Sequence, residues 1–328
     1  EPDAVVLTAY DQEVGLRYRV AQVEVSAPGE TLVRASRLFA IVRESVDERL
    51  TFEAEEDLLH IRGSDSHFQI VGQNVREFPP VPDLEGEPSF AVRVEALRKA
   101  VEQTRFAAAR ENTRYAINGV LWEQKGKRLQ LVATDGRRLA LSAASLERTG
   151  GSDGVRAIIP TKALDVFGRL HLDAEEVVEV RLSTNQVVMR SEQVTISSVL
   201  VEGHFPKYED VIPREHDKTV TLRTADFLSA VRRVALLANA ESKGIRLSLS
   251  DKTMVLSSRT PEQGEATVRV PIEYSGTVLD IGFNPEFIAD ALRVSEETVM
   301  LELKESSRPG VITSGPNFRY VLMPVNLS

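Results

Sequence analysis

TRYAINGVLWEQKGKRLQLVATDGRRLAL occupies residues 113–141. Ile117, Val120, Leu121 and Trp122 make one apolar run. Leu129, Leu131, Val132 and Ala133 make a second, interleaved with polar residues. Such alternation marks half-buried strands, and the charged turn at 124–127 joins the two as neighbours. Thr134-Asp135-Gly136 reads as a tight polar turn. Gly136 is available for positive φ, and Asp135 can bond the turn's own amides. Arg137 and Arg138 follow, and Leu139 restarts a strand. Taken alone, the stretch is a β-meander with two arginines on a solvated corner.

Outward from it, the chain repeats. GETLVRASRLFAIVRES (29–45), RAIIPTKALDVFGRL (156–170) and LDIGFNPEFIADALRVS (279–295) each have the form strand, short corner, amphipathic helix. Ser36, Thr161 and Pro285 fall at matching places, 125 and 124 residues apart. Thr161 and Asn284 read as helix caps. Each segment is followed by two or three alternating strands. A second pair, FAVRVEALRKAVEQTRFAAA (90–109) and VTLRTADFLSAVRRVALLAN (220–239), aligns Ala100-Val101 with Ala230-Val231, 130 residues apart. Leu97, Val101 and Phe106 in the first, and Phe227, Val231 and Val234 in the second, keep helical spacing.

Repeats outrank local readings. They divide the chain into 1–88, 89–213 and 214–328, with Pro-rich and acidic joints after Phe78-Pro79 and Phe205-Pro206. Each copy has two pseudo-equivalent halves, every half with one helix and about four strands. The expected class is α+β, with helices on one face of antiparallel sheets. AVVLTAYDQEVGLRYRV (4–20) matches the meander of the second copy. The register therefore places the opening strand and helix of the first copy, roughly 35 to 40 residues, ahead of residue 1, leaving the first domain N-terminally incomplete.

The chain has 328 residues, 42% of them hydrophobic, and a formal charge of -9. It has no apolar run long enough to span a bilayer. Its first residues lack a basic region before an apolar core, so they do not read as a signal peptide. There is no cysteine, which excludes disulfides and thiolate metal sites and is compatible with a reducing compartment. Net acidity argues against a protein that simply coats nucleic acid. The charge is segregated, however. The five expected helices (34–45, 94–110, 161–172, 224–239, 285–295) sum to +5, and the remainder to -14.

In their order and spacing, TRYAINGVLWE, LVATDGRRLAL, HFPKYEDVIP, YSGTVLDIGFNPEFIADAL and the terminal YVLMPVNL closely resemble the bacterial DNA polymerase sliding clamps, the β subunits of the replicative polymerase. The resemblance covers the whole chain. It implies three clamp domains per subunit and a head-to-tail dimer closing a ring of six domains, with helices lining the hole and sheets outside. It also implies a cytoplasmic, non-catalytic processivity factor without cofactor or metal. Such a ring slides on duplex DNA without sequence preference. It tethers the polymerase catalytic subunit, the clamp loader and other partners through short hydrophobic peptides.

The resemblance carries site residues with it. Arg37, Arg43, Arg98, Lys99, Arg105, Lys162, Arg232 and Arg233 would face phosphate. Glu111 and Tyr115 fall where family members touch the template strand, and Ala116 stands where a second contact is common. The peptide pocket between domains two and three would comprise Ile117, Thr134, Gly136, Arg137, Arg138, Leu139, Pro206, Asp210, Val211, Val321, Leu322, Met323, Pro324, Val325, Asn326 and Leu327. Asn284 and Phe287 would flank it. Ile, Leu, Val, Met and Pro suit the apolar side chains of a linear peptide, and Met adapts to different partners. Asp210 and Asn326 stand where basic residues are common in the family. The dimer interface would set Phe68 and Ile70 on an edge strand against Leu236 and Leu237.

Two other readings compete. A hydrolase would use Asp135 with His171 or His204, but the five histidines are scattered and no phosphate-binding glycine loop is present. A non-closing clamp-like scaffold would bind peptides only.

Overall fold

The computed structural model describes residues 3–55, 57–110, 115–150, 154–238, 244–260 and 264–326. The chain separates into two compact units. One is Glu1–Gly86 with Val188–Ser198, and the other is Glu87–Val187 with Val199–Ser328.

In the first unit, the hairpin Val5–Tyr10/Val14–Val20 pairs on its second strand with Val194–Val199, so the second repeat lends a strand to the first. Helix α1 (Ala35–Glu44) lies before a three-stranded sheet, Thr51–Glu55, Leu58–Arg62 and His67–Val71. Its core is small: Leu59, Ile61 and Ile70, with Val33, Leu38, Ile41 and Leu50 packed against them. Helix α1 buries no residue, and Phe39 is 63% exposed.

The second unit holds two repeats. Helices α2 (Val94–Glu102) and α4 (Thr224–Ala235) follow directly from the strands Phe90–Arg93 and Lys218–Arg223. Helices α3 (Thr161–Arg169) and α5 (Pro285–Arg293) follow from Arg156–Pro160 and Leu279–Phe283. Helix α2 packs beside α3, and α4 beside α5. Apolar stripes explain the pairing. Val94, Leu97, Ala100 and Val101 are buried on α2, and Phe227, Ala230, Val231 and Val234 on α4. Each large side chain so buried contributes roughly 1.5–3 kcal/mol.

A helix start leaves backbone donors without partners. Among the described α-helices only α5 uses a side-chain cap: Asn284 accepts from Glu286 N at 2.9 Å, with Pro285 in the first turn. Thr161 does not cap α3. It is already helical, and the cap position belongs to Pro160. In α2 and α4 neighbouring carbonyls do this job: Val94 N donates to Glu176 O, and Thr224 N to Glu297 O. Val94 and Thr224 are 130 residues apart, so the repeat extends to how the helices are capped.

The decisive joint is the twelve-residue strand Arg138–Thr149. One edge pairs with Arg128–Thr134, which continues through Gly119–Lys125 to Arg156–Pro160. The other edge pairs at its start with Phe318–Leu322, the last strand of the third repeat, and at its end with Phe90–Arg93. From Phe318–Leu322 the sheet runs on through Gly310–Ser314 and Thr298–Leu303 to Lys218–Arg223. Repeats two and three therefore share one sheet. A separate sheet orders Gly264–Pro271, Thr253–Thr260, Ile245–Ser250 and Leu279–Phe283.

Candidate functional site

The 134–138 turn is closed by its own side chains. Asp135 Oδ1 accepts from the amides of Arg137 (2.9 Å) and Arg138 (3.1 Å). Thr134 Oγ1 donates to Arg138 O and accepts from Gly136 N. Gly136 has φ +85°, where a side chain is strained. Arg137 O in turn accepts from Met323 N at 3.0 Å, which fixes the end of the last strand. Both carboxylate oxygens of Asp135 thus close the turn.

From this turn the strand register sorts residues by face. Leu139 pairs with Val321, and Val321 with Val311; one step along, Leu141 pairs with Arg319. Residues alternate between faces with period two. Leu139, Leu141, Val311, Arg319 and Val321 therefore share one face. Ile117, Phe205 and Tyr208 pack there with Leu139, Val311 and Val321, and Ile212 leans on the same cluster. Val211 (49%) and Met323 (42%) are exposed, and Pro206 is half-buried. An open cleft of about 400 Å3 continues from this apolar floor, lined by Ile212, Pro213 and Val311 with Glu209, Arg214, His216, Glu302 and Arg319.

The segment 205–214 is strapped over the sheet by Tyr208. Its hydroxyl donates to Glu123 Oε2 at 2.8 Å, with Lys125 Nζ and Gln130 Nε2 each at 3.2 Å. Burial and Glu123 both hold this hydroxyl protonated. Burial disfavours the charge on Glu123, but Lys125, Tyr208 and Arg156 outweigh it and keep the carboxyl below its ordinary range.

Arg138 lies one residue from Leu139 and turns the other way. It donates to Asp135 Oδ2 (3.0 Å), Asp290 Oδ2 (2.7 Å) and Phe106 O (2.9 Å). The guanidinium lies 4.3 Å from the Phe287 ring centroid, and its side chain is 10% exposed. Burial works against its charge, and the Tyr320 and Asp290 contacts overcome that. The expected pocket residues thus divide between two faces. Leu139 and Val321 belong to the apolar cluster with Ile117 and Phe205. Arg138, buried Leu322 and Phe287 belong to the helix side, where they bind the second repeat to the third. Asn284 is occupied as the α5 cap. Val325 N bonds Gly282 O, Pro324 is half-buried, and Asp210 and Asn326 are exposed. Leu327 lies outside the described residues.

Sequence reading missed Val311, Ile212 and Arg319. Val311 and Arg319 keep strict alternation, but nothing local pairs their strands with residue 139. The helix cations are unequally available. Arg37, Arg232 and Arg233 are exposed without an ion pair among the described residues. Arg43 bonds Glu44, Lys99 bonds Glu296 at 2.7 Å, and Arg105 pairs with Asp165. Arg98 donates to Leu170 O and closes the end of α3. Lys162 is exposed in the first turn of α3, and Tyr115 is exposed ahead of the meander. Glu111 lies outside the described residues.

Phe68 and Ile70 sit on His67–Val71, an outer strand of its sheet. Leu236 (78% exposed) and the half-buried Leu237 end α4, which packs on Gly264–Pro271, an outer strand of the other small sheet.

Three family models match in chain order: the N-terminal, central and C-terminal domains of the DNA polymerase III beta subunit, at residues 1–82, 91–207 and 209–326. The chain belongs to that family. The beta sliding clamp of Pseudomonas aeruginosa is 33% identical over 331 residues, covering 100% of this chain and 90% of the relative. The beta sliding clamp of Escherichia coli K12 is 31% identical, covering 98% and 88%. Among solved structures, the P. aeruginosa clamp bound to griselimycin superposes with a TM-score of 0.92 at 33% identity, covering 100% of this chain and 89% of that one. The Bacillus subtilis clamp gives 0.90 at 25%, covering 100% and 90%. In this sliding-clamp chain no helix among the described residues is long and apolar enough to cross a membrane.

Proposed function

We propose that this chain is a DNA sliding clamp: a non-catalytic processivity factor that closes as a head-to-tail dimer around duplex DNA and tethers the replicative polymerase. The observation that carries the reading is the ordered match of all three clamp domains along one chain. Physical chemistry supports it. Exposed pairs such as Lys99–Glu296 are worth only about 0–1 kcal/mol, so a passing phosphate can displace the carboxylate. Arg37, Arg232 and Arg233 offer cations directly. Contacts that weak hold no register, which suits sliding, and retention then rests on closure rather than on affinity. The outer strands His67–Val71 and Gly264–Pro271 offer edges for subunit pairing. The apolar face of Leu139, Val321 and Met323, lipped by Val211, suits the Leu and Phe side chains of a partner peptide.

Loading the chain onto nicked circular DNA and then linearising the circle tests this directly. Clamp is expected to remain on circles and to run off linear DNA. Equal retention on both leaves only the scaffold reading. Met323→Ala, at an exposed lip, is expected to weaken a Leu/Phe-bearing partner peptide about tenfold or more, with dimer mass unchanged. Unaltered affinity places the groove elsewhere.

A further inference from the structure

The cleft beyond the groove floor holds two arginines without an ion-pair partner among the described residues. Arg319 pairs in register with Leu141, and Leu139 with Val321, so Arg319 rises from the groove's own face two residues from Val321. Arg214 enters the same cleft from the strap segment. Both side chains are exposed, and among the described residues neither makes an ion pair or a side-chain hydrogen bond. Of the two carboxylates in the cleft, Glu302, nearly buried, is bonded to His216 (2.9 Å from Nε2), and Glu209 is exposed and only loosely paired, 4.0 Å from Lys125 Nζ. Ile212, Pro213 and Val311 complete the walls. The unsatisfied donors of this cleft are therefore two guanidiniums beside an apolar wall. A carboxylate there can accept forked hydrogen bonds.

We propose that the cleft reads an acidic side chain of the docked peptide, held by Arg214 and Arg319. The inference rests on the groove being the peptide site. An extended peptide advances about 6.6–6.8 Å every two residues, the same step that separates Val321 from Arg319. A peptide seating apolar residues on Leu139 and Val321 thus brings its second neighbour to the arginines. Partners with Asp or Glu two residues from the apolar pair are selected over those with a neutral or basic residue there.

The test uses the full chain and fluorescence anisotropy with amidated, labelled peptides. All share one Leu/Phe anchor and carry Asp, Asn or Lys two residues before or after it. In one orientation the Asp peptide is expected to bind about tenfold tighter than its Asn counterpart, and the Lys peptide weakest, with the gap narrowing in high salt. The double substitution Arg214→Gln and Arg319→Gln is expected to erase the difference while leaving the Asn peptide within about twofold. Equal binding of Asp and Asn peptides in both orientations overturns the proposal, as does a preference that survives the double substitution. If every peptide fails to bind the wild-type chain, the groove reading itself falls and takes this proposal with it.

Discussion

Arg138 donates to a turn carboxylate, to a carboxylate of α5 and to a backbone carbonyl beyond α2, and it is nearly enclosed. Its pseudo-duplicate Arg137 is exposed. Arg137 still lies in the turn, whereas Arg138 opens the strand Arg138–Thr149, and two consecutive arginines carry no local mark of that boundary. Removing a partner from a buried, bonded charge strands the other charge. Arg138→Ala is therefore expected to lower stability by about 3–5 kcal/mol. Arg138→Lys keeps the charge, but its single ammonium cannot reproduce the fork, so a smaller loss of about 1–3 kcal/mol is expected. Urea denaturation of each variant measures both. A neutral Arg138→Ala contradicts its role in joining the repeats.

Elements in this molecule are held by neighbours more than by their own ends. Helices α2 and α4 borrow carbonyls from distant loops, and the 205–214 segment is fastened to the sheet by the Tyr208–Glu123 bond. That bond makes an acid-side prediction. The Glu123 carboxyl titrates lower in the folded protein than in the unfolded chain. Its stabilisation is whole above the ordinary carboxylate range and is lost as pH falls through the lowered value. Between about pH 5 and 3 the wild type is expected to lose stability more steeply than Glu123→Gln. Parallel pH profiles of the two, from thermal or urea melts, refute the strap's dependence on this charge.

For the molecule as a whole, the proposed dimer sets Leu236 against the Phe68 strand. Leu236 is too exposed to matter to the folded subunit, so Leu236→Lys is expected to leave the melting profile within about 0.5 kcal/mol. A desolvated ammonium opposite an apolar edge is costly. The dimer fraction by light scattering is expected to fall at least tenfold in association constant. An intact dimer relocates the interface.

The repeat, the alternation of strands with amphipathic helices, the Asn284 cap and the Asp135 turn are all legible in the amino-acid order, because each depends on residues within a few positions of one another. The same holds for the segments that mark the clamp family. Nothing within a few residues pairs Arg138–Thr149 with both Phe318–Leu322 and Phe90–Arg93. That joint depends on contacts across roughly 180 residues on one side and 55 on the other. It sets the face of every residue near it: Leu139 toward the groove, Arg138 toward the helices, Arg319 into the cleft. Local periodicity determines which residues can share a face. Long-range register alone decides what that face meets, because a one-residue shift would exchange the two faces throughout.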